Sequence, residues 1–262
     1  MVWGIHSTDR SVAVSQSVRK AITLLRATAA HGDGASVSAL ARTAGLPRAT
    51  ALRLIQTMEG ERLLQRVPDA DRVVLGPELF RLARSVDTGA VLLGLAREHL
   101  TSLCEEVRET ITFSVVGADG GLDVVHQEDG PQHLVVRSWI RQRFPLHASS
   151  SGKVLLASYD EARLARFLRT PRDALTPATI TSARALRREL AAVREQAFGA
   201  SVDELEDGLA SVSVGVHDDS AALVGMVNVS GPSLRLDAAA RARAVDRMRS
   251  LVADVEVTLR SA

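Results

Sequence analysis

The sequence has almost no cysteine and few aromatic residues. Among 262 residues there is one cysteine, Cys104, so no disulfide can form within the chain. A chain without disulfides is typical of a reducing cytoplasm. Aromatic residues make up 3% of the chain, which argues against a protein that binds single-stranded nucleic acid by stacking bases on aromatic rings. Any core is therefore expected to consist of Leu, Val, Ile and Ala.

Long apolar runs are also missing. No stretch of about 18 uncharged apolar residues is present, so the sequence predicts no membrane-spanning helix. Residues 1–10 contain no apolar run typical of a signal peptide. We therefore expect a cytoplasmic protein without a membrane partner. Hydrophobic residues at 46% and charged residues at 24% indicate a folded chain rather than a disordered one.

The chain has no strong excess of either charge, and its formal net charge is +1. The charges are nevertheless unevenly distributed. Residues 1–80 carry 10 Lys and Arg against 7 Asp and Glu, whereas residues 81–262 carry 22 against 24. The modest basic excess therefore lies in the N-terminal third, as a module that contacts DNA phosphates requires.

Residues 36–55 are the most informative segment. They predict two short helices around a tight turn, with Gly45 at the turn and Pro47 at the start of the second helix. A further helix is expected over 15–30, where Val18, Ile22 and Leu25 recur at helical spacing. This order is typical of a helix-turn-helix that reads double-stranded DNA. The alternative is a three-helix packing unit without a ligand.

The second helix of this motif has two distinct faces. Its apolar positions follow helical spacing and predict a buried stripe, made of Ala51, Leu54, Ile55 and Met58. Arg48, Ala49, Thr50 and Arg53 remain on or near the outer face, where small and basic side chains suit the major groove. Two β-like runs follow, over 63–67 and 72–75, and predict a wing with Arg66 and Arg72 near the DNA backbone.

The rest of the chain predicts an α+β domain. Helices are expected over 79–86, 91–107, 153–158, 161–168, 184–196 and 238–259, and strands over 110–116, 122–127, 134–139, 209–216 and 222–230. The resulting organisation is a disordered leader (1–14), a DNA reader (15–78), a linker helix (79–89) and a second domain (90–262).

Several motifs, in order and at compatible spacing, resemble the IclR family of bacterial transcriptional regulators. In the first domain they are the segments 17–21, 44–50, 53–54 and 75–77. In the second domain they are the segments 145–153 (Pro-Leu-His-Ala-Ser-Ser-Ser-Gly-Lys), 203–206 with Gly208, and 229–232. The resemblance extends from Ser17 to about the C-terminus.

This resemblance implies a winged helix-turn-helix, a linker helix and a GAF-like α/β effector-binding domain. It further implies a regulator that works as a homodimer or homotetramer; we expect repression of a catabolic operon, although the sequence leaves activation open, and we expect no cofactor or metal. Such a protein binds a palindromic double-stranded operator and responds to a small organic acid or related metabolite. The expected DNA-binding residues are Ser17, Arg19, Pro47, Arg48, Ala49, Thr50, Arg53, Arg66 and Arg72. The expected effector-binding residues are Ser149, Ser150, Ser151, Gly152, Asp203, Ser211, Asn228 and Ser230.

The serine-rich segment also allows enzymatic interpretations. Ser150 and Lys153 fit a Ser-x-x-Lys pattern, in which the lysine would activate a serine nucleophile. Gly152-Lys153 resembles part of a phosphate loop, although the upstream glycine and the following hydroxyl residue are missing. A simple N-cap with a surface turn is a third interpretation. We favour a helix N-terminus whose N–H groups bind an anionic effector.

Other polar residues leave similar choices. Asp203, Glu204 and Glu206 could suggest acid–base chemistry or a metal site. No His or Cys lies near them at ligand spacing, since the histidines are scattered at 126, 133, 147 and 217, so no metal site is expected. Asn228 and Ser230 are two apart on a strand and share a face, which is either a binding face or solvated surface. Cys104 is expected to be a buried structural thiol rather than a redox sensor.

Differences from the family pattern bear on the effector. Val73 and Val74 replace a usual aromatic residue, and Ser211 and Gly215 stand where many members have Cys and Pro. A serine-rich pocket without an obvious arginine favours hydrogen-bonded recognition over charge pairing. Two other functional classes stay open: a GAF-like or acyl-transfer enzyme, and an architectural DNA-binding protein without an effector.

Overall fold

A computed structural model describes residues 15–68, 70–83, 85–117, 120–132, 138, 140 and 144–261. These residues form two compact units, Met1–Val86 and Asp87–Ala262. The expected leader lies outside the described residues, as does the expected strand over 134–139 apart from Ser138, which is not in a strand.

The N-terminal unit is a winged helix-turn-helix. Its elements are α1 (Gln16–Ala30), α2 (Val37–Thr43), α3 (Arg48–Gly60), β1 (Leu64–Arg66), β2 (Val73–Leu75) and α4 (Pro77–Ala83). Ser36 caps α2 by accepting a hydrogen bond from the Ala39 N–H, because first-turn amides have no partner within the helix. Leu24, Leu40 and Ile55 are fully buried and join the three helices in one core.

The apolar face of α1 differs from the simplest interpretation of its sequence. Val18 and Ile22 are exposed, whereas Leu24, Ala27 and Thr28 are buried. Helical spacing identifies a helix but does not say which of two overlapping apolar stripes packs inward. That choice is made by contact with α2 and α3.

The wing is an antiparallel pair in which Leu64 lies opposite Leu75 and Arg66 opposite Val73. Ala35 forms a further bridge to Val73, which ties the wing to the start of α2. The expected linker helix over 79–89 is shorter in the structure, where α4 covers Pro77–Ala83. Proline is favoured in a first helical turn.

The described part of the C-terminal unit contains one five-stranded antiparallel sheet. Its strands are β3 (Thr110–Val116), β4 (Leu122–Glu128), β5 (Gly199–Val202), β6 (Leu209–His217) and β7 (Leu223–Pro232), in the order β4-β3-β7-β6-β5. Its helices are α5 (Thr88–Val107), α6 (Ser150–Ser158), α7 (Glu161–Leu168), α8 (Ala183–Gln196) and α9 (Ala238–Ser261). The sequence did not predict β5, a four-residue edge strand too short to show a clear alternation.

The two faces of this sheet have separate cores. Phe113, Val212 and Val229 face α5 and α9 in the larger core. On the other face Met226 packs with Val154 and Leu155 of α6.

α5 begins three residues earlier than the sequence predicts, because Asp87 caps it by accepting a hydrogen bond from the Ala90 N–H. Within the described ranges, no helix combines the length and apolar character needed to span a bilayer.

Candidate functional site

The first candidate site is the outer face of α3. Ala51, Ile55 and Met58 point into the core, which leaves Arg48 and Arg53 exposed on the same helix. Neither guanidinium has an ion pair or hydrogen bond to another described residue. Such side chains keep all their donors for an external acceptor such as a phosphate or a base edge.

The helix follows a sharp turn at Gly45, which has φ +64°, a conformation that glycine adopts without a Cβ penalty. Pro47 then immediately precedes the first helical residue. Ala49 is exposed and Thr50 is partly buried, so the first turn of α3 presents small side chains beside the two arginines.

The remaining residues expected at DNA fall into two groups. Ser17, Arg19 and Arg72 are exposed on α1 and at the wing. Arg66 differs, since its Nε lies 3.0 Å from Glu59 Oε1 on α3. The pair neutralises part of the wing's charge and fixes Arg66 beside α3.

The second candidate site is a polar face of the five-stranded sheet. β3, β6 and β7 each alternate apolar and polar residues, and strand register aligns the polar ones. Asn228 lies between Thr112 and Ser213, while Ser230 lies between Thr110 and Ser211. All these side chains are buried. The solvated-surface interpretation of Asn228 and Ser230 is therefore wrong: α6 covers this face.

The N-terminus of α6 is joined to this face by hydroxyl contacts. Ser150 Oγ donates to Asn228 Oδ1 at 2.7 Å, so the 2.8 Å contact with Ser211 is donated by Ser211. Asn228 Nδ2 donates to Thr112 Oγ1 at 3.2 Å, and Ser151 Oγ lies 3.0 Å from Ser213 Oγ. The predicted residues Ser150, Ser211 and Asn228, from three distant segments, thus meet in one network.

A small cavity lies between this network and the segments around it. Its lining includes six of the predicted residues, Ser149, Ser150, Ser151, Ser211, Asn228 and Ser230. The sequence analysis missed Thr112, Ser114, Phe144, Leu205 and Leu209, which also line it. Thr112 and Ser114 could have been found, because they alternate with buried Ile111, Phe113 and Val115.

Two predicted effector residues do not line the cavity but shape it. A Cβ on Gly152 would lie 2.3 Å from the Leu146 carbonyl oxygen, so only glycine permits this approach. Asp203 has φ +58°, and its Oδ1 accepts from the Gly208 N–H at 2.9 Å. Ser149 has two roles. It lines the cavity, and it caps α6 through its Oγ, which accepts a hydrogen bond from the Gly152 N–H.

Lys153 lies just below the cavity in a buried ionic cluster. Its fully buried Nζ donates to Glu204 Oε1 at 2.6 Å, to the Ala200 carbonyl at 2.9 Å and to Glu189 Oε1 at 3.0 Å. Burial raises the pKa of Glu204, and the Lys153 ammonium opposes that shift. Glu204 Oε2 is buried without a hydrogen-bond partner among the described residues.

These contacts contradict both enzymatic interpretations of the serine-rich segment. The hydroxyl of Ser150 donates to Asn228 rather than to Lys153, and the lysine ammonium is surrounded by three acceptors. A lysine held this way is not a free base for a serine nucleophile. Nor is its charge free for a phosphate.

The other titratable groups do not assemble into a site. The described residues include no cluster of three His, Cys, Asp or Glu that could hold a metal ion. His147 bonds to the Asp173 carbonyl and His217 to Glu256, while His133 lies outside the described residues. Cys104 is buried, and its burial raises the pKa of the thiol to about 11, so it is not a thiolate at neutral pH.

A larger cleft of about 440 Å³ lies where α5, β3 and α9 meet. Its charged groups are mostly paired, since Arg235 binds Glu109 through two hydrogen bonds of 2.6 and 2.8 Å and Arg247 binds Glu106. We therefore regard the hydroxyl-lined cavity as the better binding site.

Comparison with known proteins identifies both units. Residues 17–68 match the IclR helix-turn-helix domain, and residues 87–257 match the bacterial transcriptional regulator IclR C-terminal domain. The chain belongs to the IclR family of bacterial transcriptional regulators. It is a DNA-binding regulator, and its matched IclR domains and relatives are regulators rather than enzymes.

Individual IclR-family relatives extend over most of the chain. The HTH-type transcriptional regulator Rv1719 of Mycobacterium tuberculosis is 34% identical over 220 residues, 84% of this chain and 83% of that protein. The glycerol operon regulatory protein of Streptomyces griseus is 30% identical and covers 92% of this chain and 94% of its own. The crystal structure of an IclR regulator from Alicyclobacillus acidocaldarius is 25% identical, with a TM-score of 0.60, covering 93% and 98%.

Proposed function

We propose that this IclR-family member is an effector-responsive regulator that binds a palindromic double-stranded operator as a homodimer or homotetramer. Three parts of the N-terminal unit contact DNA: the start and outer face of α3 (Pro47, Arg48, Ala49, Thr50 and Arg53), the wing (Arg66 and Arg72) and α1 (Ser17 and Arg19). The cavity of the C-terminal unit binds a small organic acid. The observation that carries this proposal is the set of buried donors without acceptors at the N-terminus of α6.

The hydrogen-bond directions in the cavity favour a ligand that accepts hydrogen bonds. Ser230 Oγ is buried and has no partner among the described residues. Asn228 Nδ2 uses one of its two protons on Thr112, and the first-turn amides of Ser150 and Ser151 have no acceptor in the described part of the chain. Donors at a helix N-terminus suit a carboxylate or a keto oxygen.

The cavity has an interior volume of about 20 Å³, enough for roughly one water molecule. An organic acid therefore requires the apolar side of the cavity to move, which is formed by Phe144, Leu205 and Leu209. Binding of this kind favours one arrangement of the unit over another, and only such differential affinity can shift DNA occupancy.

The effector proposal is tested by a thermal-shift screen with small hydroxy, keto and aromatic carboxylates, with neutral polyols for comparison. We expect carboxylates to raise the melting temperature. Ser230→Ala should weaken their binding by about fivefold, because one hydrogen bond contributes about 1 kcal/mol. Titration calorimetry measures the affinity.

The matched control is Ser158→Ala, at the far end of α6, where the hydroxyl bonds only to the Leu155 carbonyl. It should bind carboxylates like the unaltered protein. A screen in which no carboxylate stabilises the protein would leave an effector-independent DNA binder as the better description.

Exposed apolar side chains of the N-terminal unit support the proposal of a homodimer. α4 has no buried residue, yet it presents Phe80, 70% exposed, and Leu82. Val18 and Ile22 of α1 are also exposed. A second copy of this chain would cover these side chains and pair two readers, as a palindromic operator demands. Half-sites one helical turn apart, about 34 Å, tolerate little change in reader spacing.

We expect Phe80→Arg to shift the protein from dimer toward monomer, since a charged side chain cannot be buried unpaired at an apolar contact. Sedimentation equilibrium measures the mass. Leu234→Arg is the control, because Leu234 is 95% exposed in the other unit. An unchanged mass for Phe80→Arg would exclude α4 from the dimer contact.

The regulated genes are proposed from the relatives. One relative's name assigns it to a glycerol operon, and by analogy we propose that this chain represses a catabolic operon in the cytoplasm, where its DNA lies. Reporter expression from the adjacent promoter, with and without the gene for this chain, tests repression.

A further inference from the structure

The turn over 203–208 joins β5 to β6 and forms one side of the cavity. Leu205 lies within the turn and Leu209 immediately follows it, and both line the cavity. Asp203 and Gly208 have φ of 58° and 80°. The turn closes on itself through three hydrogen bonds, from the Asp203 N–H to the Leu209 carbonyl, from the Leu209 N–H to the Glu206 carbonyl and from the Gly208 N–H to Asp203 Oδ1.

The Ser233 N–H donates to the Gly208 carbonyl at 2.7 Å, and two groups of side-chain contacts also hold this turn in place. Thr176 Oγ1 and Thr179 Oγ1 donate to the carbonyl groups of Asp203 and Glu204, at 2.6 and 2.7 Å. The second contact is the 2.6 Å hydrogen bond from Lys153 Nζ to Glu204 Oε1. Among the described residues, this hydrogen bond is the side-chain contact that joins the turn to α6.

Lys153 is unusual in the number of elements it joins. It belongs to the first turn of α6, directly after the serines that line the cavity, and its Nζ reaches α8 through Glu189 and β5 through the Ala200 carbonyl. The side chain is fully buried. A buried ammonium needs its acceptors, because water cannot replace them there.

We propose that Lys153 and Glu204 are positioning residues that fix the Leu205–Leu209 side of the cavity against the N-terminus of α6. The pair sets how far the cavity can open, and therefore the size of the ligand it admits. The inference rests on the proposed function only in treating the cavity as a binding site.

The physical reason is that the turn cannot move away from α6 without separating this pair. Glu204 is 8% exposed, and its Oε1 accepts the 2.6 Å hydrogen bond from Lys153 Nζ. Hydrogen bonds to charged groups are stronger than neutral ones and require closer geometry. Leu205 and Leu209 follow the backbone of the same turn, so their distance from Ser150 and Ser151 depends on the pair.

Amide hydrogen exchange of the full-length protein without ligand tests the inference, using two replacements of similar volume. Glu204→Gln keeps an oxygen that accepts from Lys153, whereas Glu204→Leu does not. In Glu204→Leu we expect the amides of Asp203, Gly208 and Leu209 to exchange about 10- to 100-fold faster. In Glu204→Gln the increase should stay below about threefold, a rescue that packing alone would not produce.

The turn at the other end of β6 provides an internal control. Asp218 organises it by accepting from the Ser220 and Ala222 amides, and its exchange should not change in either variant. Glu189→Gln is a second control, because Glu189 contacts Lys153 without touching the turn. Should Glu204→Leu fail to fold, the double variant Lys153→Leu/Glu204→Leu, which buries no unpaired charge, takes its place.

Equal exchange of the 203–209 amides in the unaltered protein, Glu204→Gln and Glu204→Leu would overturn the inference. So would equally fast exchange in both variants, since it would assign the turn to packing rather than to the pair. Because no ligand is added, a failed effector screen overturns the proposed function alone and leaves this measurement intact.

Discussion

Lys153→Met is expected to lower the free energy of unfolding by about 3–5 kcal/mol, the usual result of removing one partner of a buried ion pair. Methionine fills the space of the lysine stem, so the change is electrostatic rather than a cavity. The Glu204 carboxylate then stays buried without its ammonium partner. Urea denaturation measures the loss.

The loss of unfolding free energy in Lys153→Met should depend on pH. Burial raises the pKa of Glu204, so the folded protein holds this proton more tightly than the unfolded chain does. That linkage favours folding at acidic pH and disappears as the pH rises through the folded pKa. Removing the Lys153 ammonium raises the pKa of Glu204 further. The destabilisation caused by Lys153→Met should therefore be smaller at mildly acidic than at alkaline pH.

Two further variants separate the charge from its surroundings. Lys153→Met/Glu204→Leu should recover most of the stability, because neither charge is then left unpaired. Arg187→Met removes an exposed pair with Glu161 and should cost at most about 1 kcal/mol. If the double variant is no more stable than Lys153→Met, the ion pair does not explain the loss.

The double variant Arg48→Ala/Arg53→Ala is expected to weaken operator binding by about 100-fold or more. Each lost base contact costs about 1–3 kcal/mol, and each lost phosphate contact also reduces the salt dependence. Both arginines are exposed and unpaired among the described residues, so the fold should not change. Fluorescence anisotropy with promoter DNA at several salt concentrations measures both quantities.

Arg166→Ala/Arg169→Ala is the matched control, because it removes two exposed arginines of the other unit, Arg166 in α7 and Arg169 immediately after it. Its operator affinity should equal that of the unaltered protein. An unchanged affinity for Arg48→Ala/Arg53→Ala, at controlled salt, would mean that α3 is not the reading helix.

Much of the fold could be predicted because its signals are local. Gly45 and Pro47 bracket a turn by their backbone preferences, and Ala51, Ile55 and Met58 lie on one face by helical geometry. The recognition of the IclR family from short motifs is confirmed by matches to both units. Local rules left the packing face of α1 open, and Val18 and Ile22 are exposed in the structure.

The candidate cavity was predicted only in part, for a different reason. The segments bearing Ser150, Ser211 and Asn228 were identified, but their mutual hydrogen bonds depend on strand register. Leu205 comes from a turn with no periodic pattern, and Thr112 from a strand whose polar face could equally have faced solvent. No local feature of the sequence indicates which element packs on a given face of a sheet.

The sequence by itself determines the chain's helices and turns and the exposed arginines of the DNA reader, because each depends on neighbours within a few residues. Cysteine scarcity likewise excludes an internal disulfide without reference to any fold. The partners of Lys153 and Ser230 follow only from tertiary packing. Glu189, Ala200 and Glu204 are 36 to 51 residues from Lys153, and burial by α6 decides which polar groups are paired and which remain free to bind a ligand.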